Sequence, residues 1–202
     1  MNAEISIASR VYRDLGSDSD VIGRMELLKR THSATYFHCV RVALLAERAA
    51  DALELGDSVK QNLVRGSFIH DLGKLMVPNG LLESDKPLTE EEWSIIKRHP
   101  EFGAEMIARN AEMNEDVIQL VLHHHERWDG NGYPSGLKGE QIPLLARICA
   151  VADAFDSMTS ERTYRARRPV TDALRELERH AGTQFDGAIV ECFLSLRDWR
   201  LR

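Results

Sequence analysis

Residues 58–74 read Ser-Val-Lys-Gln-Asn-Leu-Val-Arg-Gly-Ser-Phe-Ile-His-Asp-Leu-Gly-Lys, SVKQNLVRGSFIHDLGK. Leu63, Val64, Phe68 and Ile69 recur at helical spacing, and Ser58 with Gln61 has the pattern of a capping box, so a helix over about 59–71 is predicted. The apolar run leads straight into His70-Asp71, which delivers a charged pair to the interior end of a buried helix. An uncompensated buried carboxylate is unfavourable by several kcal/mol, so a partner is required there, and a metal ion serves well.

The helical pattern continues outward in both directions. Ile5, Ile7, Ala8, Val11 and Leu15 mark a helix over 4–15 that stops at Gly16, and another runs over about 20–30. A long helix over 33–55 is expected to bury Phe37, Val40, Leu44, Leu45 and Ala49 before Gly56. Thr89 with Glu92 forms a second capping-box pattern, for 90–98, and Asn114 is placed to cap 115–125. Pro100 and Pro143 suit first helical positions, opening helices over 100–109 and 143–158, and 171–180 and 185–197 are helical as well. No stretch shows a run of strand alternation, and there is no linker, repeat or low-complexity tract. The expected fold is all-α: a short N-terminal helical extension, 1–32, followed by one domain over 33–202.

Composition agrees with one well-formed core: 202 residues, 43% hydrophobic and 29% charged. Apolar runs such as 42–46 are far shorter than the roughly 20 residues that span a bilayer. No membrane association is expected, and the reading is cytoplasmic. Cys39, Cys149 and Cys192 lie far apart among apolar neighbours, as reduced core thiols do. A net charge of −6 argues against binding a DNA or RNA polymer, so an anionic ligand needs a local positive site. Residues 162–168, Arg-Thr-Tyr-Arg-Ala-Arg-Arg, offer one.

Single histidines on helices are usually ordinary core or surface residues. His70-Asp71, His99, the run at 123–125 and Asp153 within one domain are much harder to explain that way. Imidazole and carboxylate without thiolate favour iron, manganese or another borderline-to-hard divalent ion over structural zinc. Consecutive helical residues point about 100° apart, so His70 and Asp71 can face two ions with the carboxylate bridging, which suits a binuclear site.

The ordered set His70-Asp71, Asp71-Leu-Gly-Lys74, His-His-Glu-x-x-Asp-Gly-x-Gly-Tyr-Pro at 124–134, Arg-Ile-x-x-Val-x-Asp at 147–153 and Arg-Thr-Tyr-Arg at 162–165 resembles the HD-GYP family over about residues 33–194. The family is a branch of the HD-domain metal-dependent phosphohydrolases, and its characteristic activity is hydrolysis of the bacterial second messenger cyclic di-GMP. The resemblance implies His38, His70, Asp71 and Asp153 around one ion and His99, His124 and His125 around a second, with Asp71 bridging. His123 is left as an extra imidazole. Some members carry a glutamate one turn before the first histidine and bind a third ion; here that position is Ala34, so two are expected, iron or manganese.

On the same resemblance Lys74 contacts a phosphate oxygen or assists proton transfer, the alternative being a solvated helix-end lysine. Arg162 and Arg165 take guanine, through its O6/N7 edge or by stacking, against the alternative of an exposed basic turn. Arg167 and Arg168 match nothing specific and read as solvent-exposed. Tyr133 and Pro134 shape the glycine-rich loop and pack against substrate. The implied activity is a phosphodiesterase giving pGpG and, on further cutting, GMP. Alternatives are a low-turnover cyclic di-GMP sensor, a module docking a diguanylate cyclase or other signalling protein through the Gly-Tyr-Pro loop, or a phosphohydrolase of another nucleotide. The apolar face of 4–15 serves a homodimer as readily as the core. Residues 1–32 are too few for a sensory domain, so regulation comes from a separate partner or the chain is a piece of a longer protein.

Overall fold

The computed structural model describes residues 2–15, 18–84, 86–160 and 168–196. Among these the regular structure is helical, apart from one isolated bridge between Ala181 and Phe185. In chain order the helices are α1 (Asn2–Asp14), α2 (Ser19–Thr31), α3 (Ser33–Ala52), α4 (Asp57–Ile69), α5 (Asn79–Leu82), α6 (Glu90–Ile96), α7 (His99–Ile107), α8 (Glu115–His123), α9 (Leu144–Thr159), α10 (Val170–Arg179) and α11 (Gly187–Ser195). Two 3-10 turns, Leu72–Met76 and Gly139–Gln141, interrupt them.

Helix α3 is the axis of the fold. Nearly all round it is apolar and buried, from Tyr36 and Cys39 to Ala49 and Ala50, so it can be packed on several sides at once. Helices α1, α2, α4, α9 and α11 lie against it. Ile7, Val11, Val21, Met25 and Leu28 bring α1 and α2 into the same core as Leu45, Leu63, Phe68, Ile148 and Phe193. Burying side chains of this size contributes about 1.5–3 kcal/mol each. No helix among the described residues is long and apolar enough to cross a membrane.

Local signals account for several boundaries. Thr89 accepts from the Glu92 N–H at 3.2 Å while Glu92 accepts from the Thr89 N–H at 2.8 Å, a complete capping box. Asn114 caps α8 as expected, and Asp18 caps α2 by accepting the Val21 N–H.

Other expectations are corrected. Helix α4 begins at Asp57 with Gly56 as its cap, so Ser58 and Gln61 lie inside the first turns and form no capping box. It ends at Ile69, and α8 at His123, so His70-Asp71 and His124-His125 stand just beyond helix ends instead of within them. Pro143 is the cap of α9, in extended conformation, and not its first residue. Phe37 is 42% exposed, because Tyr36, at 3%, takes the interior position.

Candidate metal centre

Five elements end or pass at one point. His38 comes from α3 and Asp153 from α9; His70 and Asp71 follow α4, His99 opens α7, and His124 and His125 follow α8. Gly73 lets them meet: a Cβ there would lie 1.9 Å from the His99 carbonyl oxygen and 2.5 Å from the Gly103 nitrogen. Only glycine allows α7 to press its first turn onto the 3-10 turn after His70-Asp71.

His70, His99 and His124 are oriented alike. Each ring Nδ1 lies 2.8 Å from the main-chain carbonyl three residues earlier, Ser67, Ile96 and Val121 respectively. A carbonyl only accepts, so each Nδ1 carries a proton, and in the neutral ring Nε2 is the nitrogen with the lone pair. The Nε2 atoms gather around Asp71: His70 at 3.5 Å from Oδ2, His99 at 3.2 Å from Oδ1, and His38 at 3.8 Å from Oδ2. His99 Nε2 and His124 Nε2 face each other across 3.2 Å. Two lone pairs at that distance repel unless a cation or a proton lies between them.

His38 is held differently. Its Nδ1 lies 2.7 Å from Asp156 Oδ2, and its Nε2 is 3.0 Å from Asp153 Oδ1. Asp156 is in turn gripped by Arg41, whose Nε and Nη2 donate at 2.7 and 3.0 Å, and by the Ser160 hydroxyl at 2.9 Å.

The electrostatics are those of a desolvated cluster of opposite charges. Burial pushes the His70 and His124 pKa values down, and that of His125 to about 3, so these imidazoles are neutral. Burial works against the Asp71 carboxylate, but the Lys74 ammonium leads the groups that outweigh it and hold Asp71 well below the usual range. Asp153 is likewise kept ionised against burial, chiefly by His38. His38 is lowered by burial and raised more strongly by Asp153 and Asp156, to about 9. Lys74 Nζ sits 2.6 Å from Asp71 Oδ2.

The donor set fits divalent metal ions. Ligand atoms of Asp71, His99, His124 and His125 lie within 4.8 Å of one another, as do those of His38, His70 and Asp71, with Asp71 common to both groups. His70 Nε2 and Asp71 Oδ1 are buried without a hydrogen bond, the condition a bound cation relieves.

Beside the cluster, residues 124–136 fold back on themselves. The Glu126 carboxylate is buried and accepts the Ser135 N–H at 2.7 Å and the Leu137 N–H at 3.1 Å. A Cβ at Gly132 would lie 2.3 Å from the Arg127 nitrogen, so this crossing also requires glycine. Tyr133, joined to Pro134 by a cis peptide bond, stacks on His125 with ring centres 4.9 Å apart, and Lys97 Nζ lies 5.7 Å from the Tyr133 ring centre. His123 stays outside the cluster, buried, with Nδ1 3.6 Å from Glu126 Oε1.

Arg162, Arg165 and Arg167 lie outside the described residues, while Arg168 N–H donates to the Met158 carbonyl. Three residues with a part in this geometry escaped sequence reasoning. Asp156 had a signal, its place three residues beyond Asp153 on the same face of α9; Gly73 and Glu126 were visible only as letters of motifs.

The model of a family described as HD domain matches residues 23–189. A cyclic di-GMP phosphodiesterase of Pseudomonas aeruginosa is 38% identical over 167 residues, covering 83% of this chain and 40% of the relative. A 3′3′-cGAMP-specific phosphodiesterase of Vibrio cholerae is 37% identical over 160 residues, covering 78% of this chain and 30% of that one. The chain thus spans less than half the length of these curated relatives. A solved HDG"Y"P protein from Bdellovibrio bacteriovorus superimposes with a TM-score of 0.66 at 25% identity, over 79% of this chain and 51% of that one. Its helices, its ordered motifs and these similarities agree: this chain belongs to the HD domain family, in the HD-GYP branch.

Proposed function

We propose that the chain is a divalent-metal-dependent phosphodiesterase that opens cyclic di-GMP to linear pGpG, with GMP as the product of a second cut. The observation that carries this reading is the meeting of imidazole lone pairs and Asp71 oxygens in a buried centre, two of whose atoms lack a hydrogen bond. The Pseudomonas relative's activity on cyclic di-GMP supports the substrate.

His38, His70, Asp71 and Asp153 would hold one ion, and His99, His124 and His125 a second, with Asp71 shared. Oxygen and nitrogen donors without thiolate suit iron or manganese. Such a pair of ions, when bound, activates water near neutral pH and screens the phosphoryl charge. In the hydrolysis the oxygen of water bonds to phosphorus, the P–O3′ bond breaks, and the leaving O3′ takes a proton. Lys74, part-exposed beside Asp71, presents an ammonium that can meet a phosphate oxygen or supply that proton. Tyr133, flat against His125, sets the wall of the loop next to the reacting phosphate. Arg162 and Arg165 are assigned to guanine. The similarity to a 3′3′-cGAMP-specific enzyme favours that hybrid dinucleotide as the second substrate to try.

The test is chromatography of products after anaerobically purified protein meets cyclic di-GMP with added Fe(II) or Mn(II), alongside Asp71→Asn. Appearance of pGpG or GMP, absent in the variant together with reduced ion content, is expected. Intact cyclic di-GMP with two ions bound would refute turnover and point to a receptor or docking module.

A further inference from the structure

We propose that Asp156 is the positioning residue for His38, and that through it the His38 half of the centre can lose its ion while the His99, His124 and His125 half stays filled. The inference rests on the two-ion reading above.

The four histidines with a fixed Nδ1 partner divide into two kinds. His70, His99 and His124 donate to main-chain carbonyls, which no side-chain substitution removes. His38 sits inside α3, where the carbonyls of the preceding turn are already committed to the helix. Its Nδ1–H must find a side chain, and the Asp156 carboxylate reaches it from α9 at 2.7 Å.

Helix α9 thus meets both ring nitrogens from one face. Asp156 takes Nδ1, and Asp153, three residues earlier, lies 3.0 Å from Nε2. With Nδ1–H committed to Asp156, Nε2 is the nitrogen that would give up its proton and turn a lone pair to an ion in the centre. Without Asp156 the ring is free to turn or to carry its proton on Nε2, and either change withdraws the donor. Arg41 and Ser160 explain how the orienting carboxylate stays in place at 2% exposure: between them they donate to both of its oxygens. The Arg41 charge also balances it, so the contribution of Asp156 is direction and tautomer more than net charge.

The experiment is a Mn(II) titration of the full chain, followed by calorimetry and Mn(II) spin resonance, comparing wild type with Asp156→Ala and Asp156→Asn. Wild type should take up two ions. Asp156→Ala should keep one at wild-type affinity and weaken the other by roughly 10–100-fold. Asp156→Asn, which retains an acceptor but sets an amide N–H2 against the Arg41 and Ser160 donors, should give a smaller loss at the same site. Arg41→Gln leaves Asp156 in place with a looser clamp and should repeat the one-site loss more weakly, which guards against an Asp156→Ala protein that does not fold. A purely structural role would lower both affinities together; that result, or two unchanged affinities, overturns the proposal. Fewer than two ions in wild type overturns the two-ion reading and the proposal with it. A one-site loss in a protein that leaves cyclic di-GMP intact upholds the Asp156 role and refutes only the phosphodiesterase.

Discussion

Gly73→Ala places one methyl group where, among the described glycines, an added Cβ would have the least room. The new Cβ would lie 1.9 Å from the His99 carbonyl oxygen and 2.5 Å from the Gly103 nitrogen. Van der Waals separation of heavy atoms begins near 3.5 Å, so the first turn of α7 must retreat by roughly 1.5 Å. The obstacle is main chain, which cannot swing aside as a side chain does. His99 Nε2, now 3.2 Å from both Asp71 Oδ1 and His124 Nε2, would be carried away from each. Overpacking of this kind costs about 1–3 kcal/mol. For a chain of this size that lowers Tm by roughly 2–4 °C per kcal/mol. Misplacement by about 1 Å at a reacting centre lowers rates on the order of 100-fold. Thermal unfolding, ion stoichiometry and cyclic di-GMP turnover should be measured on the same preparation, with Gly23→Ala as control. Gly23 is on an exposed face of α2 with nothing within 4 Å of an added Cβ, so alanine there should stabilise by about 0.5–1 kcal/mol and leave the ions alone. A Gly73→Ala protein with wild-type Tm and two bound ions would refute the claim that this crossing positions His99.

Other perturbations separate the loop, the ions and the substrate. Glu126→Gln removes the charge that anchors the Ser135 and Leu137 N–H groups, and their amide exchange should quicken by the equivalent of about 1–3 kcal/mol; unchanged exchange would mean the carboxylate does not hold the loop. A chelator should lower Tm, because ions present at about 100 times their Kd stabilise by about 2.7 kcal/mol; an unmoved Tm on metal-loaded protein would contradict ion binding at the buried centre. Arg162→Ala should raise KM for cyclic di-GMP with ion content unchanged, and an unaltered KM would put guanine recognition elsewhere.

What could be read beforehand followed the range of each interaction. The Thr89–Glu92 box and the Asn114 cap are complete within three residues, and both formed as expected. Ser58 and Gln61 had the same spacing but lost to a helix start two residues earlier, where Asp57 already places negative charge in the first turn. Choosing Phe37 over Tyr36 for the core failed because α3 is buried around most of its circumference and has no single apolar stripe to follow. His38, His70, His99, His124, His125 and Asp71 were legible by residue type, and the structure gathers them. Asp156 was not, since its partner His38 stands 118 positions away. Gly73 stood in the sequence only as a letter of the Asp-Leu-Gly-Lys motif, whereas in the structure it makes room for α7.

The bonds from His70, His99 and His124 to the carbonyls of Ser67, Ile96 and Val121 tie the aim of each ring to the last turn of α4, α6 or α8. Helix phase therefore becomes a functional quantity. One residue added near the end of α4 would swing His70 through about 100° and lengthen its reach by about 1.5 Å, even if every side chain in the core were kept. Substitutions along these helices are judged by what they bury, but insertions and deletions are judged by where the next imidazole points, so these three helices can vary in composition far more readily than in length.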